Sequence, residues 1–153
     1  MSMSPNVPKL PSEAESPSQE RDSWQVAPNL FSSFKYAWSG ITYAFQTQRN
    51  FRIHSGIGLI ALTLSILLRV SPVEAAIVAL TVAAVMVMEI LNTALESLVD
   101  LTVGQTYHQL AKVVKDCAAG AVLLAAVAAI LVAALIFGPP LWGLLRPYLA
   151  SLV

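Results

Sequence analysis

A stretch in the second half of the chain combines three carboxylates and a carboxamide with the end of a long apolar run. In the segment Glu89-Ile-Leu-Asn-Thr-Ala-Leu-Glu-Ser-Leu-Val-Asp100, polar residues recur at three- and four-residue steps. At about 100° per residue on a helix, they share one face. Ionisable groups at membrane depth cost several kcal/mol unless they contact protein, water, a metal or a partner, so they are functional candidates. The polar face contains Glu89, Asn92, Thr93, Glu96 and Asp100.

These residue types suit phosphoryl transfer, which needs a divalent ion on the phosphates, a cation to share their charge and a base at the attacking hydroxyl. Glu96 and Asp100 offer hard oxygen donors for Mg²⁺. Lys115 offers a point charge for phosphate, and Glu89 could take a proton from a lipid hydroxyl. The sequence has no Walker-type or kinase-type glycine loop, so an ATP site here would belong to neither class.

Other interpretations of the polar face stay open at this point. Such a face can hold helices together, or it can form a path for ions or protons. A catalytically silent assembly protein is a further alternative. His54 and His108 have no companion at metal-ligand spacing, so we predict that both are ordinary interfacial residues.

The composition indicates a small integral membrane protein. Of the 153 residues, 56% are hydrophobic and 12% are charged, and the apolar residues are concentrated in three blocks. The net charge is zero and no basic cluster with interleaved aromatics occurs, so we expect no nucleic-acid partner. The N-terminus has no signal-peptide pattern, so insertion is expected to depend on the internal spans.

The predicted fold is all-α, with three transmembrane helices preceded by an amphipathic helix at the membrane surface. Proline and polar residues dominate residues 1–29, which we predict to be a disordered cytoplasmic tail. Residues 30–138 form the membrane domain, and residues 139–153 are predicted to be an interfacial C-terminal tail, because Gly138-Pro139-Pro140 should end the third span. The predicted elements are a surface helix at 30–50 and spans at 53–70, 72–100 and 115–137.

The basic residues predict the orientation. If the N-terminus lies in the cytoplasm, most Lys and Arg residues lie on the inside, as the positive-inside rule requires. The polar face then meets the cytoplasm, where ATP and Mg²⁺ are found. The basic residues on the inside would be Lys9, Arg21, Lys35, Arg49, Arg52, Lys112 and Lys115, which leaves Arg69 and Arg146 outside.

A second motif block follows the polar face: Tyr107-His-Gln-Leu-Ala-Lys-Val-Val-Lys-Asp-Cys-Ala-Ala-Gly-Ala-Val-Leu123. With the first block, it resembles the small prokaryotic membrane lipid kinases that include bacterial diacylglycerol kinase and undecaprenol kinase, over about residues 34–137. The resemblance implies a homotrimer of three-span subunits in the bacterial inner membrane, with active sites shared between neighbouring subunits. Such an enzyme transfers the γ-phosphate of ATP to a lipid hydroxyl at the cytoplasmic interface.

The resemblance also implies roles for individual residues. Glu89 looks like the general base, Asn92 like an active-site polar partner and Glu96 like a metal ligand at the nucleotide. Asp100, Lys115 and Asp116 look like nucleotide-site residues.

One position departs from the family pattern. The family usually has a glutamate in the hinge before the first span, as a second metal ligand, and this chain has Gln48 there. A carboxamide still offers an oxygen, and Mg²⁺ is often held by one or two carboxylates with phosphates and waters. We therefore expect Gln48 to serve in the metal and nucleotide site, with weaker metal binding.

The acceptor lipid stays open between two candidates. The hinge at residues 49–54 and the segment Leu110-Ala-Lys112 look more like the undecaprenol kinase branch, whereas diacylglycerol kinase is the family's commonest activity. Both acceptors present one primary hydroxyl on a long apolar body, so the same polar cluster serves either.

Overall fold

The computed structural model describes residues 29–104 and 106–150. The tail predicted over residues 1–29 lies outside this part, apart from Asn29. Within the described residues the chain is helical, and three of its helices are long and apolar enough to cross a membrane. The predicted all-α, three-span class is confirmed. The helices are α1 (Leu30–Thr47), α2 (Arg49–Leu67), α3 (Pro72–Val103) and α4 (Gln109–Ala150).

The apolar helices and the candidate site belong to one compact unit that begins at Trp38. Within it, α3 packs against both α2 and α4. The α2–α3 contact is close at Gly58, where a Cβ atom would lie 2.6 Å from Cγ1 of Val82. Many large apolar side chains on all three helices are exposed, as expected where lipid covers them. In the unit that precedes Trp38, Asn29 caps α1, because its Oδ1 accepts a hydrogen bond from the Ser32 N–H (2.9 Å).

The turn between α2 and α3 follows from its sequence. Helix α2 ends in a Schellman motif, in which the N–H of Arg69 donates to Ile66 O and the N–H of Val70 donates to Ser65 O. Arg69 has φ +51°, the left-handed conformation that this motif needs.

Helix α3 then begins with a capping box. The Ser71 hydroxyl accepts from the Glu74 N–H, and the Glu74 carboxylate accepts from the Ser71 N–H. Pro72 lies in the first turn, as predicted from its sequence position.

The boundaries of the third span differ from the prediction. Helix α4 begins at Gln109 rather than at residue 115, and it continues through Pro139, Pro140 and Pro147 to Ala150. The helix therefore has no break at residue 138, and residues 139–150 continue it; that residues 139–153 form an interfacial tail stays a prediction. Proline has a helical φ, and membrane helices tolerate it where neighbouring groups satisfy the freed carbonyls.

The other boundaries shift by a few residues. The predicted surface helix at 30–50 ends at Thr47, and the predicted first span at 53–70 begins at Arg49 and ends at Leu67. The predicted second span at 72–100 extends to Val103. The predicted hinge before the first span is therefore mostly helical, and Gln48 is the residue outside the two helices.

Candidate active site

Gln48 marks a bend that is fixed on both sides. Its backbone is extended (φ −101°, ψ 116°), which separates α1 from α2. The rings of Phe45 and Phe51 meet edge to face across the bend, with centroids 6.3 Å apart, and Phe51 is buried. The Arg52 guanidinium donates to the carbonyl of Phe45 (3.1 Å) and to that of the next residue (3.0 Å), so it satisfies free carbonyls at the end of α1. These contacts hold the Gln48 side chain at one place beside α3.

Glu96 is the centre of the first polar cluster. Gln48 Nε2 donates to Glu96 Oε2 (3.4 Å), although the two residues lie 48 positions apart in sequence. From one turn earlier on α3, Asn92 Nδ2 donates to Glu96 Oε1 (3.1 Å). Asn92 Oδ1 is buried and has no hydrogen-bond partner among the described residues. The structure therefore brings together three of the predicted site residues.

Glu89 lies nearer the middle of α3 than Glu96 does, and its side chain is 2% exposed. Oε1 of this carboxylate lies 2.7 Å from Nδ1 of His54, which reaches it from α2. A buried carboxylate is costly unless a hydrogen-bonding or charged partner compensates for its lost water, and His54 supplies that partner. Helix α3 thus holds a buried carboxylate at the N-terminal end of the polar face that also contains Glu96.

His54 was missed by the sequence reasoning, which predicts an ordinary interfacial residue. Its partner lies 35 positions away, so no local spacing indicates the contact. One signal was available: His54 is a titratable residue inside the predicted first span, and such residues are functional candidates by default.

The second polar cluster lies at the other end of the polar face. Lys115 Nζ on α4 donates to Asp100 Oδ1 on α3 (2.5 Å), and Lys112 forms an ion pair with Asp116 one turn along α4. All four side chains are exposed by about 40% or more. The sequence groups Lys115 with its neighbour Asp116, whereas the structure gives each a different partner. The cluster lines an open cavity of ≈ 390 Å³ next to the α3–α4 loop.

An apolar groove of ≈ 170 Å³ lies between α2, α3 and α4. His54 stands in its lining, together with Val82 and Val85 of α3 and Ala129 and Phe137 of α4. Thr81 also lines the groove, but its hydroxyl donates to the Ile77 carbonyl. The groove wall is therefore almost entirely apolar. The imidazole of His54 therefore contacts the buried carboxylate and also faces the apolar groove.

The donor set around Glu96 suits a hard divalent cation. Residues 29–104 and 106–150 contain no group of three or more His, Cys, Asp or Glu side chains that could hold a metal. However, Mg²⁺ is commonly held by one or two carboxylates, with substrate phosphates and waters completing the octahedron. Glu96 offers that carboxylate, and the amide oxygens of Gln48 and Asn92 become available if their amides rotate. The buried, unpartnered Asn92 Oδ1 fits such a site.

Comparison with known proteins gives a family match. The family model for prokaryotic diacylglycerol kinase matches residues 35–137. A diacylglycerol kinase of Synechocystis sp. is 58% identical over 125 residues, covering 82% of this chain and 71% of the relative. An undecaprenol kinase of Bacillus subtilis is 40% identical over 112 residues (73% and 90%). A diacylglycerol kinase of Escherichia coli K12 is 33% identical over 96 residues (63% and 78%).

Proposed function

Because the chain belongs to the prokaryotic diacylglycerol kinase family, it is a membrane lipid kinase, and we propose that Glu89 is the base of its phosphoryl transfer. The family match includes every predicted site residue from Gln48 to Asp116. ATP is the phosphoryl donor that such a kinase uses. Nothing in the comparisons favours the ion-conducting alternative.

The observation that carries the proposal is the burial of Glu89 on the same helix as the cluster around Glu96. In the proposed reaction, Glu89 takes the proton of the lipid hydroxyl as the lipid oxygen bonds to the γ-phosphorus of ATP. The bond from that phosphorus to the β–γ bridging oxygen breaks, and ADP leaves. Positioning of this kind, with a base at the attacking hydroxyl, is the main contribution of a protein to phosphoryl transfer.

We propose that Mg²⁺ is held at Glu96, with amide oxygens of Gln48 and Asn92 as further donors. When bound, the ion would neutralise charge on the β- and γ-phosphates. Asn92 also holds Glu96 through its hydrogen bond, so its loss would free the carboxylate to turn away.

We propose that the nucleotide phosphates approach the second cluster. Lys115 is the cation that would share their charge, and Asp100 and Asp116 would position Lys115 and Lys112 through the observed ion pairs. Since Asp100 lies 11 residues after Glu89, the proposed base and the second cluster are separated by about 16 Å along the axis of α3. That length suits a triphosphate that extends from the water towards a lipid.

The chain is a bacterial membrane protein. We propose that its N-terminus and its polar face lie on the cytoplasmic side of the membrane. The excess of Lys and Arg on that side supports this orientation. We further propose a homotrimer in the inner membrane, as the family resemblance implies. Exposed apolar faces on α2, α3 and α4 would be shared between neighbouring subunits and lipid.

We propose diacylglycerol as the acceptor, which would yield phosphatidic acid, because the relative with 58% identity is named a diacylglycerol kinase. Undecaprenol is the second candidate. It is supported by the relative named undecaprenol kinase, of which the match covers 90%.

The test measures transfer of labelled γ-phosphate from ATP by the purified protein in mixed micelles, with diacylglycerol and undecaprenol offered side by side. We expect labelled lipid from the unchanged protein and none above background from Glu89→Gln. The matched control is Glu74→Gln, which makes the same substitution at the other end of α3, where glutamine can still serve the capping box. Equal turnover in the two variants, or labelling of neither lipid by the folded protein, would contradict the proposal.

A further inference from the structure

We infer that His54 is a positioning residue for Glu89: its Nδ1–H holds Oε1 of the carboxylate, so that Oε2 faces the acceptor hydroxyl. The inference rests on the proposed function, since it assigns Glu89 as the base. No local spacing in the sequence indicates the contact of His54 with Glu89, and the structure supplies it (2.7 Å).

The surroundings of Glu89 leave His54 as the group that can do this. Two hydroxyls lie on nearby turns, and both are engaged with backbone carbonyls. Ser55 Oγ donates to Phe51 O (2.7 Å), and Thr93 Oγ1 donates to the carbonyl of Glu89 itself (2.9 Å). Within residues 29–104 and 106–150, the hydrogen-bond partner found for the Glu89 carboxylate is His54, through Oε1.

Burial explains why a donor is needed at this place. A carboxylate that is 2% exposed has lost its water, and a buried polar group without a hydrogen-bond partner is costly. The imidazole Nδ1–H supplies that partner, and it fixes the plane of the carboxylate at the same time.

The position of His54 relative to the apolar groove indicates from which side an acceptor would approach Glu89. His54 lines this groove, and its side chain is 22% exposed. His54 therefore lies both at the buried carboxylate and in the lining of the groove. An acceptor whose apolar chain entered the groove would present its hydroxyl there.

The experiment compares four variants in the mixed-micelle assay, with kcat and the KM for ATP measured separately. His54→Phe keeps a ring but removes the donor, and we expect kcat to fall about 100-fold, as misplacement of a reacting group can cause, with the KM for ATP unchanged. His54→Asn places an amide N–H near the position of Nδ1, and we expect it to recover most of the activity. His54→Gln places its amide further out, near Nε2, and should remain impaired. Thr63→Val, on the exposed side of the same helix, is the control and should match the unchanged protein.

A double-mutant cycle with Glu89→Gln completes the test. If His54 contacts Glu89, the losses of melting temperature caused by His54→Phe and by Glu89→Gln are not additive, because both substitutions disturb the same hydrogen bond. A kcat that is unchanged in His54→Phe, or equal in His54→Asn and His54→Gln, overturns the inference while the unchanged protein still phosphorylates lipid. If the unchanged folded protein labels no lipid, the proposed function fails instead. If His54→Phe fails to fold, the comparison of kcat between His54→Asn and His54→Gln tests the inference by itself.

Discussion

Lys115 Nζ lies 2.5 Å from Asp100 Oδ1, and this ion pair joins the end of α3 to the first turns of α4. Both side chains are exposed, at 38% and 62%. Exposed ion pairs contribute about 0–1 kcal/mol to stability, so the pair is not what holds the two helices together. The pair lines an open cavity, which is where we propose that the nucleotide phosphates bind.

The first prediction concerns this lysine. Lys115→Met should raise the KM for ATP or lower kcat by about 10- to 100-fold, because a hydrogen bond to a charged group contributes about 1.5–3 kcal/mol. The melting temperature should change little. Lys112→Met, at the neighbouring ion pair on the same helix, should have a smaller effect on turnover. A large loss of stability without a kinetic change in Lys115→Met would show that the residue is structural.

The second prediction concerns the departure at Gln48. Gln48→Glu should lower the Mg²⁺ concentration that gives half-maximal activity, because a second carboxylate beside Glu96 binds a hard cation better than an amide does. Without Mg²⁺ the two carboxylates should repel each other, so the melting temperature of the variant should rise with added Mg²⁺ more than that of the unchanged protein.

A Mg²⁺ requirement that is unchanged or raised in Gln48→Glu would contradict this view of the metal site. Gln48→Leu serves as the control, since it removes the oxygen and should raise the requirement. Measuring both activity and melting temperature separates metal binding from catalysis.

The third prediction concerns the close contact between α2 and α3. Gly58→Ala should destabilise the protein by about 1–3 kcal/mol, because the new Cβ would lie 2.6 Å from Cγ1 of the stiff Val82 side chain. Gly56→Ala, on the same helix, meets nothing within 4 Å and should be neutral or slightly stabilising. The measurement is thermal unfolding in micelles. Recovery of stability in the double variant Gly58→Ala with Val82→Ala would attribute the loss to this contact.

The fourth prediction concerns the turn before α3. Arg69 adopts φ +51° at the position of the Schellman motif where glycine is usual. Arg69→Gly should therefore stabilise the protein by about 1 kcal/mol, since a side chain in the left-handed region costs about that amount. Arg69→Ala removes the charge but keeps the Cβ, so it should give no such gain. Equal melting temperatures in the two variants would mean that the backbone at Arg69 is not strained.

Much of the fold is predictable from local sequence. Three apolar blocks predict three spanning helices, and Pro72 predicts the beginning of the second. Helix α4 continues past residue 138, although local rules treat Pro139 and Pro140 as breakers. In an apolar environment, however, a helix keeps more of its backbone hydrogen bonds satisfied than an irregular segment does.

The site was only partly predictable. Helical periodicity places Glu89, Asn92 and Glu96 on one face, and the structure agrees. Which residues of other helices meet that face depends on how each helix is rotated, and apolar sequences specify rotation weakly. The contact of His54 with Glu89 could not be derived for this reason. The pairing of Lys115 with Asp100 follows from the same tertiary packing.

The single-residue break at Gln48 restricts how many residues can connect α1 to α2. The same residue ends α1, precedes α2 and contacts Glu96, so the connection is a spacer of fixed length. An insertion of one residue within the adjoining turn of α2 would rotate the preceding chain by about 100°, and it would move the carboxamide away from Glu96. The number of residues in this segment therefore cannot change without cost to the contact between Gln48 and Glu96.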